Sequence, residues 1–257
     1  MRLLNLLIGS ILLCASACIP NKKLVYFPNP EFNTQAPTPV YNTPKTYHLQ
    51  PRDVLSVRIK TLDVDTENYF NIQSENGFQQ LNPAGLYVNG YSINSKGTIS
   101  LPEVGAVKVG GLTVEEAEAK IKDAISTYVN NATILVKLVS FKITVLGEVN
   151  APGYYYVYNE QANVLEVLGL AGDLTDFGNR ENITLIRQTN TGSETILLNL
   201  KDPALLTSPY FYLQPNDALY VQPLKAKTTR GNINTLSILS VLFGAVSTAI
   251  LILNYVE

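Results

Sequence analysis

An α+β architecture in two small domains, followed by one C-terminal membrane helix, is the fold that this 257-residue sequence predicts. Three observations carry the prediction. Short strand-like alternations punctuated by Gly, Pro, Asn and Asp fill the middle of the chain; capped helical stretches interrupt them; and an uncharged apolar run lies near the C-terminus. Composition narrows function at once. The chain is 46% hydrophobic and 16% charged, with net charge −2, so it lacks the basic face that a nucleic-acid binder lays on phosphates. One histidine, His48, and two cysteines leave few parts for Ser-His-Asp triads, zinc sites or Cys-His nucleophiles. No cofactor or metal site is expected.

Residues 1–17 form a secretory signal. Met1-Arg2 is a positive start, Leu3 to Leu13 an apolar run too short to span a membrane, and Ala15-Ser16-Ala17 the small residues before a cleavage point. Cys18 follows directly, so the site resembles a bacterial lipobox with Ala15 where Leu is commoner. Cys18 is therefore the expected lipid-attachment residue, carrying fatty-acyl chains such as palmitate, at roughly 0.8 kcal/mol of anchoring per buried methylene. Cys14 leaves with the signal, so no thiol remains for a disulfide in an oxidising compartment. Residues 18–46 read as a linker. Six of the 14 prolines fall here, favouring polyproline-type extension that holds the folded part away from the anchor.

A first domain is expected over residues 47–139. The turn Gln50-Pro51-Arg52-Asp53 leads into a strand with apolar Val54, Leu55, Val57 and Ile59, Pro presetting φ and Asp bonding local backbone. The unit Leu49–Val57 recurs as Leu213–Val221 with six of nine positions identical. Tyr91–Ile93 and Thr98–Leu101 flank Asn94-Ser95-Lys96-Gly97, a hairpin signal. Thr113 with Glu116 makes a capping box for a helix whose apolar side is Ala117, Ile121, Ala124, Ile125 and Tyr128. Asn130-Asn131 ends it, and Thr133 to Val139 returns as strand.

A second domain is expected over residues 141–223. Ile143–Val149 and Tyr154–Tyr158 are strands around the turn Asn150–Gly153. Asn163 caps a short helix from Val164 to Ala171, closed by Gly172, with Glu166 and Asp173 facing solvent. Ile183–Arg187 and Thr195–Leu200 form a further hairpin around Thr191-Gly192. Strands wrapped around one short helix suggest a β-grasp.

Residues 232–256 are the expected span. The uncharged stretch runs from Gly231 to Val256, and the 18 residues Leu236–Leu253 reach roughly 27 Å as a helix, which suits a thin bilayer. Asn234, Ser237, Ser240, Gly244, Ser247, Thr248 and Asn254 fall within about 160° of a helical wheel. Ile238, Leu239, Leu242, Phe243, Val246, Ile250 and Leu253 occupy the opposite half. Such a helix suits either close packing through its small residues or a ring enclosing water.

The ordered set resembles the Wza-like bacterial polysaccharide export family of outer-membrane lipoproteins. Tyr47-His48-Leu49-Gln50-Pro51-Arg52-Asp53-Val54-Leu55, with Arg52 where a Gly commonly stands, and Ser95–Pro102 through Gly111-Leu112-Thr113 with Glu116-Ala117 are similar to its polysaccharide export domain. Val145-Leu146-Gly147-Glu148-Val149 and Pro152-Gly153-Tyr154 are similar to its soluble-ligand-binding β-grasp (SLBB) module. The resemblance implies an outer-membrane channel subunit for capsular or exopolysaccharide. Its soluble domains would be periplasmic and its partners copies of itself in a ring, often an octamer, with the exported polymer and membrane lipid. An inner-membrane polysaccharide co-polymerase, often a tyrosine autokinase, is implied as well. In a ring the seven small or polar tail residues would line the pore, and the seven apolar ones would face lipid. Eight helices about 10 Å across leave an opening on the order of 16 Å. An alternative is a lipoprotein that binds soluble glycan or scaffolds an envelope complex without a pore.

Other candidates carry simpler readings. Tyr154, Tyr156 and Tyr158 share one strand face and suit a core or subunit interface better than sugar stacking. Glu148, Asp173 and Asp176 could be imagined as a glycosidase acid/base set, but Glu148 beside a turn reads as a surface strand residue. His48 reads as structural, and no enzyme is expected.

Overall fold

The computed structural model describes residues 24–28, 36–61, 83–129, 131–189, 192–225 and 227, together with 240, 241, 243–248, 251 and 255 near the C-terminus. Cys18 and, in the tail, Asn234, Ser237, Ile238, Leu239, Leu242, Ile250, Leu253 and Asn254 lie outside the described residues.

The first half contains β1 (Val54–Lys60), α1 (Pro83–Val88), β2 (Tyr91–Ser92), β3 (Thr98–Leu101), β4 (Gly105–Lys108), α2 (Val114–Ser126) and β5 (Thr133–Leu138). A three-stranded antiparallel sheet in the order β2-β1-β5 and a β3-β4 ladder enclose α2. The core gathers Leu55, Ile59, Ile99, Ala117, Ile121, Ile125 and Val136, all buried. The α2 capping box forms as its sequence requires, Thr113 accepting from the Glu116 amide and Glu116 accepting from the Thr113 amide. Tyr128, expected on the apolar side, stands beyond the end of α2 and is 53% exposed.

The turn at Asn94–Gly97 also forms, but its flanking strands do not pair with each other. The Asn94 side chain takes the Lys96 and Thr98 amides, and the Gly97 carbonyl accepts from Val109 and Gly110. That hands β3 to β4, while β2 pairs with β1.

The second half contains β6 (Lys142–Gly147), β7 (Gly153–Tyr156), β8 (Ala162–Asn163), α3 (Val164–Leu170), β9 (Gly178–Thr189), β10 (Gly192–Leu198), a 3-10 turn (Pro203–Thr207), β11 (Tyr212–Leu213) and β12 (Ala218–Pro223). Five strands form one mixed sheet in the order β10-β9-β12-β6-β7, with β12 and β6 parallel. One face packs on α3 through Ile143, Val145, Val164, Val167, Ile183 and Leu219. Asn163 and Glu166 complete a second capping box. At the other end Gly172, at φ +72°, lets the Gly172 and Asp173 amides bond back to Gly169 and Leu168. Gly147 is required at the end of β6: a Cβ there would stand 2.1 Å from the Val221 carbonyl oxygen on β12.

The repeated nine-residue unit is one device used twice. Arg52 and Asn216 sit at φ +81° and +67°, the third position of a turn that wants glycine there. Asp53 and Asp217 each bond their amides to the Gln50 and Gln214 carbonyls at 3.1 Å. Their carboxylates accept from the same glutamines' amides at 2.8 and 2.7 Å. Each turn then docks on a neighbouring strand or loop in the same pattern, Arg52 and Asp53 bracketing Ile93, Asn216 and Asp217 bracketing Lys142 to Thr144. Arg52 has a Cβ in a region that L residues avoid, whereas Asn tolerates it. Arg52→Gly is expected to raise unfolding stability by about 1 kcal/mol and Asn216→Gly by less, read from urea midpoints.

Candidate functional site

Where described, the tail is helical at 240, 241, 243–248, 251 and 255. Of the candidate pore-lining residues, Ser240, Gly244, Ser247 and Thr248 are described; of the candidate lipid-facing ones, Phe243 and Val246 are. Ser247 donates its hydroxyl to the Phe243 carbonyl and Thr248 to the Gly244 carbonyl, both at 2.8 Å. These i−4 bonds satisfy the hydroxyl donors within the helix. Val241, Phe243, Val246, Leu251 and Tyr255 are all exposed, Phe243 by 67%. Among the described residues no helix is long and apolar enough to cross a membrane.

The N-terminal segment departs from the spacer expectation. Tyr26 and Phe27 pack against the second core, and the Phe27 amide donates to the Leu200 carbonyl at 3.0 Å. The Tyr26 hydroxyl donates to Asp173, and the Arg180 guanidinium lies 5.3 Å from its ring centre. Further on, the Asn42 amide donates to the Leu206 and Ser208 carbonyls, and Lys45 lies over the Tyr210 ring. Where described, the segment lies against the second domain rather than away from it. Adjacent Tyr26 and Phe27 in a Pro- and polar-rich stretch were the available signal.

Tyr154 and Tyr156 share the outer face of β7, with ring centres 6.0 Å apart and edge to face. None of the three tyrosines is core: Tyr154 is 68% and Tyr158 78% exposed and Tyr156 is half-buried, because β7 is an edge strand and α3 covers the opposite face. Tyr155 points inward instead. Tyr158 lies past the end of β7 and lines a cleft of about 770 Å³ between the two halves. Tyr47, Glu115, Lys137, Glu160 and Gln214 also line it, and Lys137 and Glu160 pair across the halves at 2.8 Å.

Two of the three carboxylates, Glu148 and Asp173, are tied to structural donors. Glu148 accepts from the Thr175 hydroxyl at 2.9 Å and from the Lys227 ammonium. These donors hold its pKa below the usual carboxylate range, Lys227 contributing most, which is the opposite of what a general acid requires. Asp173 is taken by Tyr26 and by the Leu174 amide. Glu148 is thus a structural clasp rather than a plain surface strand residue. His48 is exposed beside the repeated turn.

Comparison with known proteins completes the description. The polysaccharide biosynthesis/export protein family model matches residues 41–139, and the SLBB domain model matches residues 141–221. The two serial matches support a polysaccharide export family for this chain. Two EPS I polysaccharide export outer membrane proteins, EpsA, are similar to it. The protein from Ralstonia nicotianae is 30% identical over 104 residues, covering 39% of this chain and 27% of the relative. That from Ralstonia solanacearum is 30% identical over 118 residues, covering 43% and 29%. The matched part is therefore less than a third of those relatives' length.

The repeated turn lies in both matched regions. The family is one of export proteins, not of enzymes. Sequence reasoning missed Tyr26, Arg180 and Lys227, whose partners lie far along the chain. Because Glu148 has its acidity strengthened in the fold, its link to Lys227 contributes fully above about pH 4.3 and is lost as pH falls through the folded value. The stability difference between the wild type and Lys227→Met should be present at pH 7 and shrink as pH falls below the ordinary glutamate range in urea titrations.

Proposed function

We propose that this chain is a subunit of an outer-membrane conduit for capsular or exopolysaccharide. In this reading copies form a ring, Cys18 carries the lipid anchor, the two soluble domains lie in the periplasm, and residues 232–256 cross the membrane. The single observation that carries it is the serial match of both export-family models to one chain whose tail carries hydroxyls and exposed apolar side chains. The relatives are by name outer-membrane export proteins. The polymer itself and an inner-membrane co-polymerase are the partners this role requires.

The tail chemistry suits passage without capture. Once Ser247 and Thr248 donate to their own helix, each hydroxyl keeps only acceptor capacity. A sugar hydroxyl passing such a face can donate one weak bond and exchange it for water. Ser240→Cys and Ser247→Cys should react with a membrane-impermeant thiol reagent several-fold faster than Phe243→Cys and Val246→Cys. Deleting residues 232–257 should leave polymer inside the cell, and mild detergent should release a large ring with an axial opening. Equal labelling of the two faces, secretion surviving the deletion, or a monomer in detergent would each overturn the reading.

A further inference from the structure

The cleft between the two halves takes its walls from both domains. They are the segment at 44–47, the start of α2, the end of β5, the loop after β7 and the turn before β12. Its floor is apolar, with Phe141 and Leu213 buried beneath it. The volume of about 770 Å³ lies within the range of clefts that hold small organic ligands.

The polar lining narrows the ligand. Charge cancels, because Lys45 and Lys137 stand against Glu115 and Glu160, the charged side chains among the described lining residues. Lys137 and Glu160 pair at 2.8 Å from opposite halves, with side chains 55% and 72% exposed. An exposed pair of this kind is weakly held, so either member can turn to a ligand hydroxyl at little cost. The carboxamides of Asn159, Gln161 and Gln214 each give and accept hydrogen bonds. Tyr158 adds an aromatic ring that is 78% exposed. An ionic ligand would find no excess of opposite charge in this cleft. A wholly apolar one would strip water from the amides and charges and replace none of it. A polyhydroxylated ring meets both demands: its hydroxyls match groups that donate and accept, and its C–H face covers an aromatic side chain.

We propose that this interdomain cleft is a saccharide-binding site that takes a short run of uncharged sugar residues. Tyr158 packs on one sugar face, and Lys137, Glu160 and the three carboxamides meet the hydroxyls. The inference rests on the proposed function only for the source of the sugar, the exported polymer. The tail suits passage without capture; this cleft supplies the directional polar contacts that tell one sugar from another.

The test uses the full acylated protein in a detergent without sugar headgroups. It is titrated in a calorimeter with short oligosaccharides cut from the polymer that the producing cells secrete. Binding should saturate and change little with added salt. Tyr158→Ala, and Asn159→Ala combined with Gln161→Ala, should each weaken it several-fold, while circular dichroism and the urea midpoint stay as in the wild type. Tyr154→Ala, on the outer face of β7, should leave it unchanged. No saturable binding, a steep fall with salt, or an affinity that survives both cleft variants overturns this inference and leaves the proposed function standing. Binding that behaves as expected in a protein whose tail deletion leaves secretion intact overturns the proposed function and leaves the cleft as a saccharide site.

Discussion

Each domain depends on a carboxylate buried at the start of a strand. Asp53 and Asp217 are both 1% exposed, and burial weakens the acidity of each, against the donors that surround it. The two sites offset the cost of burial differently. Asp217 receives the Arg187 guanidinium through two bonds of 3.0 and 2.7 Å, an ion pair with both members buried. Asp53 has neutral donors instead: the Gln50 amide, the Tyr47 hydroxyl at 2.8 Å, and Ser140. The phenol of Tyr47 is pushed far above its ordinary range by burial and by Asp53, so it remains a donor throughout the physiological range. What each turn sets differs too. The Asp53 turn fixes β1 against the connection between the halves, where Val54 donates to Ser140 and Val139 donates to Val54. The Asp217 turn sets β12 between β9 and β6, and with it the point where the chain leaves the sheet.

Features set within a few residues were legible in the sequence. The Thr113 capping box, the Asn163 cap, the Gly172 helix end and the Gln-Pro-x-Asp turns follow from side-chain chemistry that reaches only three or four positions, whereas Glu166, expected only to face solvent, also completes a second box. Pairing was harder. The turn at Asn94–Gly97 is as predicted, but which ladder β3 joins is decided by the Gly97 carbonyl meeting Val109 and Gly110. Alternation put Tyr154 and Tyr156 on one face, yet whether that face is core depends on where α3 lies. Glu148 shows the same limit, since its partners Thr175 and Lys227 lie 27 and 79 residues away. Arg52 is a different case: the family resemblance marks the position as one where glycine is common, and the positive φ supplies the reason.

The N-terminal segment shows why composition misleads about packing. Proline fixes φ and removes donors, so a Pro-rich stretch resists helix and forms few backbone bonds of its own. Extension of that kind is compatible with a free spacer and equally with a strip laid on a surface. The difference lies in whether side chains with enough area are present to hold it. Tyr26 and Phe27 supply that area, and Asn42 and Lys45 add polar holds along the second domain.

The tail poses the opposite problem, apolar surface without cover in a single chain. Phe243, Leu251 and Tyr255 are exposed at 67%, 69% and 92%, more than isolated apolar residues on a soluble surface would explain when they recur along one segment. Hydroxyls in the same stretch do not make it a water-loving helix, because Ser247 and Thr248 spend their donors on backbone carbonyls. A back-bonded hydroxyl carries little penalty in hydrocarbon and little grip on a solute. On the proposed reading this doubles as a design for a conduit. The apolar half holds each helix in lipid, and the other half need not be strongly polar to stay wet, provided identical neighbours around an axis keep lipid out. Pore wetting is then a property of the assembly, and no single chain can display it.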